Sequence, residues 1–204
     1  SQDGEAVSVA TEFWGTYKDE EYSFIDTEYT NNGTIKAVSK ANDAQSLGFV
    51  ADQPIIGSTI VNNGIILSEA KGLNKAYSNG FLITDTFSKS TLTNNGKISV
   101  SADGLDSNAE AIEFTNVNDS EIINKGIIEA FVFNNSTNDD ATGIYFENVL
   151  NSNIKNDGTI ITNSNATGYY GLSKGINSGY FYNSTIINSG IIKSTMNNNL
   201  DEKG

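Results

Sequence analysis

Apolar and polar side chains alternate in short runs along this chain, and the runs recur at a nearly fixed interval. The stretch STIINSG, Ser184 to Gly190, has a close copy in SEIINKG, Ser120 to Gly126, and looser copies start at Ser58, Ser90 and Ser152. The glycines that anchor the pattern are Gly33, Gly64, Gly96, Gly126, Gly158 and Gly190, spaced by 31, 32, 30, 32 and 32 residues. Two positions before each stands asparagine: Asn31, Asn62, Asn94, Asn124, Asn156 and Asn188. Two positions after each stands isoleucine: Ile35, Ile66, Ile98, Ile128, Ile160 and Ile192. Four before is apolar (Tyr29, Ile60, Leu92, Ile122, Ile154, Ile186), and six before carries a hydroxyl (Thr27, Ser58, Ser90, Ser120, Ser152, Ser184).

All these offsets are even, and a period of two is the strand period, with alternate side chains on one face. Each copy therefore predicts two short strands joined at an Asn-x-Gly corner, with the glycine supplying the backbone freedom of a sharp bend. A third strand is predicted after a variable polar loop, where a small residue precedes an apolar alternation: LGFVA from Leu47, NGFLIT from Asn79, EAIEFT from Glu110 and TGIYFE from Thr142. In the fifth copy that signal is blurred within TGYYGLSKGI, Thr167 to Ile176. Three strands per unit describe one coil of a solenoid. The expected fold is all-β, a right-handed parallel β-solenoid (β-helix) of about six coils of roughly 31 residues over 27–194. One coil cannot bury its own inner face, so stacking is part of its stability. Stacked in register, the isoleucines form an internal column and the asparagines a ladder of amides bonded above and below. Leucine-rich repeats would be shorter and leucine-based, a propeller blade would hold four antiparallel strands, and helical repeats are opposed by the Asn, Thr, Gly and β-branched content.

The odd positions should face solvent. Around the first, third and fifth corners they are polar: Thr30/Thr34, Thr93/Lys97 and Lys155/Thr159. Around the second, fourth and sixth they are aliphatic: Val61/Ile65, Ile123/Ile127 and Ile187/Ile191. These three pairs are a candidate lateral interface with another copy or a receptor; the alternative is β-propensity with cover from neighbouring loops. Residues 1–26 fall outside the columns and carry Val7, Val9, Phe13 and Trp14. They are expected either to cap the exposed strand edges of the first coil or to act as an exchangeable strand. In the second case they would complete the last coil of a neighbouring copy, which after Ile192 lacks a third-strand signal, and so propagate an end-to-end filament. Residues 195–204 form a polar tail.

Charge and composition narrow the partners. The net charge is −13, from 25 acidic and 12 basic side chains, and every basic residue is lysine. Without clustered Lys and Arg neither nucleic acid nor an anionic membrane is an expected partner. No histidine or cysteine occurs, which removes imidazole catalysis, thiolate chemistry and disulfides. No apolar run is long enough to span a membrane as a helix. No phosphate loop, nucleophile elbow or zinc motif is present, and no cofactor or metal is expected. Acidic residues such as Asp103/Asp106 and Asp139/Asp140 are expected in loops rather than as carboxylate pairs on a shared face of adjacent coils, so a polysaccharide-cleaving site is the least favoured reading.

The pattern Ser-x-Ile-x-Asn-x-Gly-x-Ile, then a loop, then Ala/Thr-x-Gly-Ile, resembles the repeats of bacterial autotransporter passenger domains and related secreted β-helix adhesins over 27 to about 194. The resemblance implies an extracellular, cell-surface protein in its mature form after signal-peptide removal, non-enzymatic, acting as adhesin or stalk. Its implied partners are a host or cell-surface receptor, a glycan, or further copies of itself. No translocator barrel follows STMNNNLDEKG, so the expectation is an excised passenger or a free secreted protein. The alternative reading is a structural subunit polymerising by N-terminal strand complementation.

Overall fold

A computed structural model describes residues 4–13, 16–17, 20–21, 24–133, 138–165 and 171–197. The chain is all-β, a parallel solenoid with three strands per coil and no helix among the described residues. The first face is a six-stranded sheet of four-residue strands: Glu28–Asn31, Thr59–Asn62, Thr91–Asn94, Glu121–Asn124, Asn153–Asn156 and Thr185–Asn188. Their register stacks Tyr29, Ile60, Leu92, Ile122, Ile154 and Ile186, and next to them the six asparagines. The second face follows each corner glycine and stacks Ile35, Ile66, Ile98, Ile128, Ile160 and Ile192. The third face holds Asp106–Asn118, Asn138–Leu150 and Leu172–Tyr182 in later coils. In the first two coils no loop intervenes: Thr34–Ala51 and Ile65–Ser88 run continuously through the second and third faces. Six rungs on a face make about five turns rather than six, because a turn is the step between rungs.

The core is the lumen of the coil. Ile66, Ile98, Ile128 and Ile160 are fully buried, each contributing about 1.5–3 kcal/mol. Across from them a column of small residues, Gly48, Gly80, Ala111, Gly143 and Gly175, marks a bend in the third-face strand. A Cβ on Gly80 would lie 2.5 Å from Cγ2 of Ile98, and one on Gly48 2.7 Å from Cγ2 of Ile66. The isoleucine of one coil thus fills the space left by the glycine of the coil before. Beyond the bend, phenylalanines stack along the axis, with Phe49 and Phe81 4.8 Å apart and Phe114 and Phe146 5.6 Å apart. In the fifth coil the third strand begins at Leu172, and Gly175–Ile176 supply the expected signal in register with Gly143–Ile144.

The corner glycines are required for a different reason from the one their spacing suggests. None has a left-handed φ; the only positive-φ glycine among the described residues is Gly57, φ 63°. A Cβ on Gly64 would collide with the carbonyl oxygen of Gly33, one on Gly96 with that of Gly64, and so on to Gly190 against Gly158. Glycine is there so that one corner can sit directly beneath the next.

The left-handed corner lies elsewhere, just before the hydroxyl column. Asp26 (φ 49°), Gly57, Lys89 (φ 49°), Asp119 (φ 50°), Asn151 (φ 51°) and Asn183 (φ 47°) occupy it, one per coil. Asp, Asn and Gly tolerate that conformation, whereas Cβ sterics penalise a lysine. Lys89→Asn is therefore expected to raise stability by about 1 kcal/mol, read as a higher urea midpoint.

Candidate functional site: intercoil ladders and an outer cleft

Two polar ladders run the length of the stack. Nδ2 of Asn31 donates to Oδ1 of Asn62 at 2.8 Å, Asn62 to Asn94 at 2.8 Å, Asn94 to Asn124 at 2.8 Å, Asn124 to Asn156 at 2.7 Å and Asn156 to Asn188 at 2.7 Å. Each of these Nδ2 groups also reaches a second-face carbonyl of the next coil, from Ile65 for Asn31 to Ile191 for Asn156. All five amide bonds point the same way, so their dipoles align and reinforce one another. The second ladder belongs to the hydroxyl column, to which spacing alone gave no role. The backbone N–H of Ser58 donates to Oγ of Ser90 at 3.0 Å, Ser90 to Ser120 at 3.1 Å and Ser120 to Ser152 at 3.1 Å. Each Oγ in turn donates to the carbonyl two residues back, as Ser90 does to Ser88 at 2.7 Å. That bond closes the left-handed corner.

Burial follows position in the stack. Asn31, Asn62, Asn94, Asn124 and Asn156 are buried and Asn188 is exposed; Ile35 to Ile160 are buried and Ile192 is 39% exposed. In the lateral candidate, Val61 and Ile123 are half-buried, while Ile65, Ile127, Ile187 and Ile191 are exposed. Their columns are interrupted: Thr93 lies between Val61 and Ile123, and Lys97 between Ile65 and Ile127. Lys97 is itself paired with Glu129 at 2.8 Å, so the aliphatic side chains form no continuous strip. At the N-terminal end Glu5–Phe13 pairs in parallel with Asp43–Ala51 of the same chain. Phe13 packs on Phe24 at 5.2 Å, Tyr29 at 5.5 Å and Phe49 at 5.2 Å. Val7 and Val9 face solvent. Trp14 lies outside the described residues, as do residues 198–204.

A cleft of about 350 Å³ opens on the outer side of the third-face bend, with Gln45, Tyr77, Asn79, Asn108, Glu110 and Glu113 among its walls. The bend builds it. Before Ala111 the inward residues are Ser107 and Ala109; after it they are Ile112 and Phe114. The alternation changes phase there, so Glu110 and Glu113 both point outward although they are three residues apart. The Nδ2 of Asn79 donates to Oε2 of Glu113 at 2.6 Å, and that of Asn108 to Oε1 of Glu110 at 3.2 Å. The Tyr77 hydroxyl donates to Asp106 Oδ2 at 3.3 Å. Oδ1 of Asn108 is buried with no donor on it, and so is Oδ1 of Asp140, its neighbour one coil on.

Carboxylates gather on this face, contrary to the expectation from sequence. Asp106 and Asp140 lie in strands, not loops, and with Glu110, Glu113 and Glu147 they share the outer surface of adjacent coils. Burial pushes the Glu113 carboxyl up to about 8 from 4.5, helped by its hydrogen bond to Glu110 and by the charges of Glu110 and Glu147; Asn79 opposes the shift. Burial likewise raises Asp140, with Lys174 pulling the other way. Glu113 therefore keeps its proton at neutral pH. The native state holds on Glu113 a proton that the unfolded chain releases above 4.5, so stability should fall as pH rises from 4.5 to about 8. Glu113→Gln should flatten that part of the profile in urea unfolding measured at a series of pH values. Among the described residues no group of three or more Asp or Glu side chains is placed to hold a metal ion.

Compared with known protein families, curated proteins and solved structures, the chain has no match.

Proposed function

We propose that this chain is a non-catalytic, extracellular β-solenoid of the bacterial surface-adhesin type, which presents the third-face cleft to a glycan. The observation that carries this reading is the chemistry of the cleft. It sets a tyrosine beside carboxamide and carboxyl oxygens, one of them, Oδ1 of Asn108, buried and lacking a donor. The side chains of Tyr77, Asn79, Asn108, Glu110 and Glu113 carry the donors and acceptors with which a hydroxyl-rich ligand pairs. The ladders supply what a stalk needs, a backbone in which every coil is tied to the next.

The carboxyl pair also bears on the rival reading of a polysaccharide-acting enzyme. A raised carboxyl beside a second one fits a general acid. Glycoside hydrolases, however, hold their two carboxyls roughly 5–9.5 Å apart to flank the scissile bond. Here Glu110 and Glu113 stand side by side on one strand rather than facing each other across the cleft, which favours binding over cleavage. A glycan array probed with the folded chain is the direct test. Binding that weakens in Tyr77→Ala and persists in Ile127→Lys supports the cleft. Binding lost only in Ile127→Lys moves the site to the lateral columns, and release of shortened saccharides overturns the non-catalytic assignment.

A further inference from the structure

We propose that Asn32 is a modification site, the place where this coil deamidates spontaneously through its own backbone. The chain has four Asn-Gly steps: Asn32–Gly33, Asn63–Gly64, Asn79–Gly80 and Asn95–Gly96. At such a step the glycine amide nitrogen attacks Cγ of the asparagine. A new N–C bond closes a five-membered succinimide, the Cγ–Nδ2 bond breaks, and ammonia leaves with the proton of the attacking amide. One water then opens the ring to aspartate or isoaspartate. The reaction needs water and nothing else, but the glycine amide must swing toward the side chain.

The fold withholds that freedom at three of the four steps. The Gly64 N–H donates to the Asn31 carbonyl of the preceding coil at 3.0 Å, and the Gly96 N–H to the Asn62 carbonyl at 2.9 Å. Asn79 is buried and its amide is tied to Glu113. The Gly33 N–H, by contrast, is held by a side chain two residues away, Oδ1 of Asn31 at 3.1 Å, and no backbone carbonyl of another coil accepts it among the described residues. Asn32 is exposed, and its own Oδ1 accepts a hydrogen bond from Nδ2 of Asn63 at 2.9 Å. A donor on that oxygen polarises Cγ and stabilises the oxyanion that forms on attack. Asn63 has the same activation from Asn95 at 2.8 Å, but its attacking amide is anchored. Asn32 alone combines an activated carbonyl with a loosely held nucleophile.

The 204-residue chain is incubated at neutral pH both folded and in denaturant, and conversion at each asparagine is followed by peptide mass spectrometry. In the folded chain Asn32 should convert about tenfold faster than Asn63 or Asn95, the factor expected when one backbone hydrogen bond no longer holds the amide. In denaturant the four rates should converge. A Cβ at Gly33 meets nothing within 4 Å, so Gly33→Ala should keep the unfolding midpoint and slow conversion at Asn32 by crowding the attack. Equal folded-state rates at Asn32, Asn63 and Asn95 overturn the proposal. So does a folded Asn32 that stays intact while the denatured chain converts, or a Gly33→Ala variant that converts as fast as its parent.

Discussion

Gly96→Ala is expected to lose at least about 3 kcal/mol of stability, at the top of the range for overpacking a close-packed interior. The added methyl would be driven into the carbonyl of Gly64, with Asn63 backbone atoms alongside. A side chain can change rotamer to relieve such a clash, but a backbone carbonyl cannot. The Gly64 carbonyl also accepts the Lys97 N–H at 2.9 Å, so moving it breaks a ladder bond. The second and third coils would have to part at this corner, opening the stack that buries their inner faces. The matched control is Gly33→Ala, which sits in the same Thr-Asn-Asn-Gly stretch but has open space above it. Urea unfolding followed by circular dichroism should show a large midpoint drop for the first and almost none for the second. Equal effects would mean that corner glycines serve backbone conformation after all.

Asn94→Ala should cost about 2–6 kcal/mol, because it leaves two buried amide groups of its neighbours unsatisfied, each worth about 1–3 kcal/mol, and frees a part-buried carbonyl besides. Nδ2 of Asn62 loses the Asn94 oxygen and keeps only a 3.4 Å contact to the Lys97 carbonyl. Oδ1 of Asn124 loses its donor, and the Ile127 carbonyl loses its bond to Asn94. Asn188→Ala, made at an exposed position with one ladder bond, should cost under about 1 kcal/mol. The comparison sets a ladder rung bonded on both sides against the exposed rung that ends it. A similar cost at Asn94 and Asn188 would show that the ladder contributes little beyond each corner.

The rungs were readable in the chain because a stacked coil repeats its chemistry. Asparagine at every corner and isoleucine two residues past it are what the inside of each coil requires, so the columns Asn31 to Asn188 and Ile35 to Ile192 are also columns in space. The left-handed corner was not readable, because Asp26, Gly57, Lys89, Asp119, Asn151 and Asn183 share a backbone angle rather than a side-chain type. The serine column was visible as a pattern without a partner, since its Oγ bonds to backbone groups that carry no sequence signature.

By itself, then, the sequence determined the period, the inward faces and the stacking of like on like, because burial and ladder bonding impose the same residue at every turn. Only the tertiary structure decided what the outer surface offers. Glu110 and Glu113 would lie on opposite faces of a regular strand. The bend at Ala111 shifts the phase and turns both outward, beside Asn108 of their own coil and Asn79 of the preceding one. A neighbour relation made by a bend and by a step between coils leaves no period in the chain.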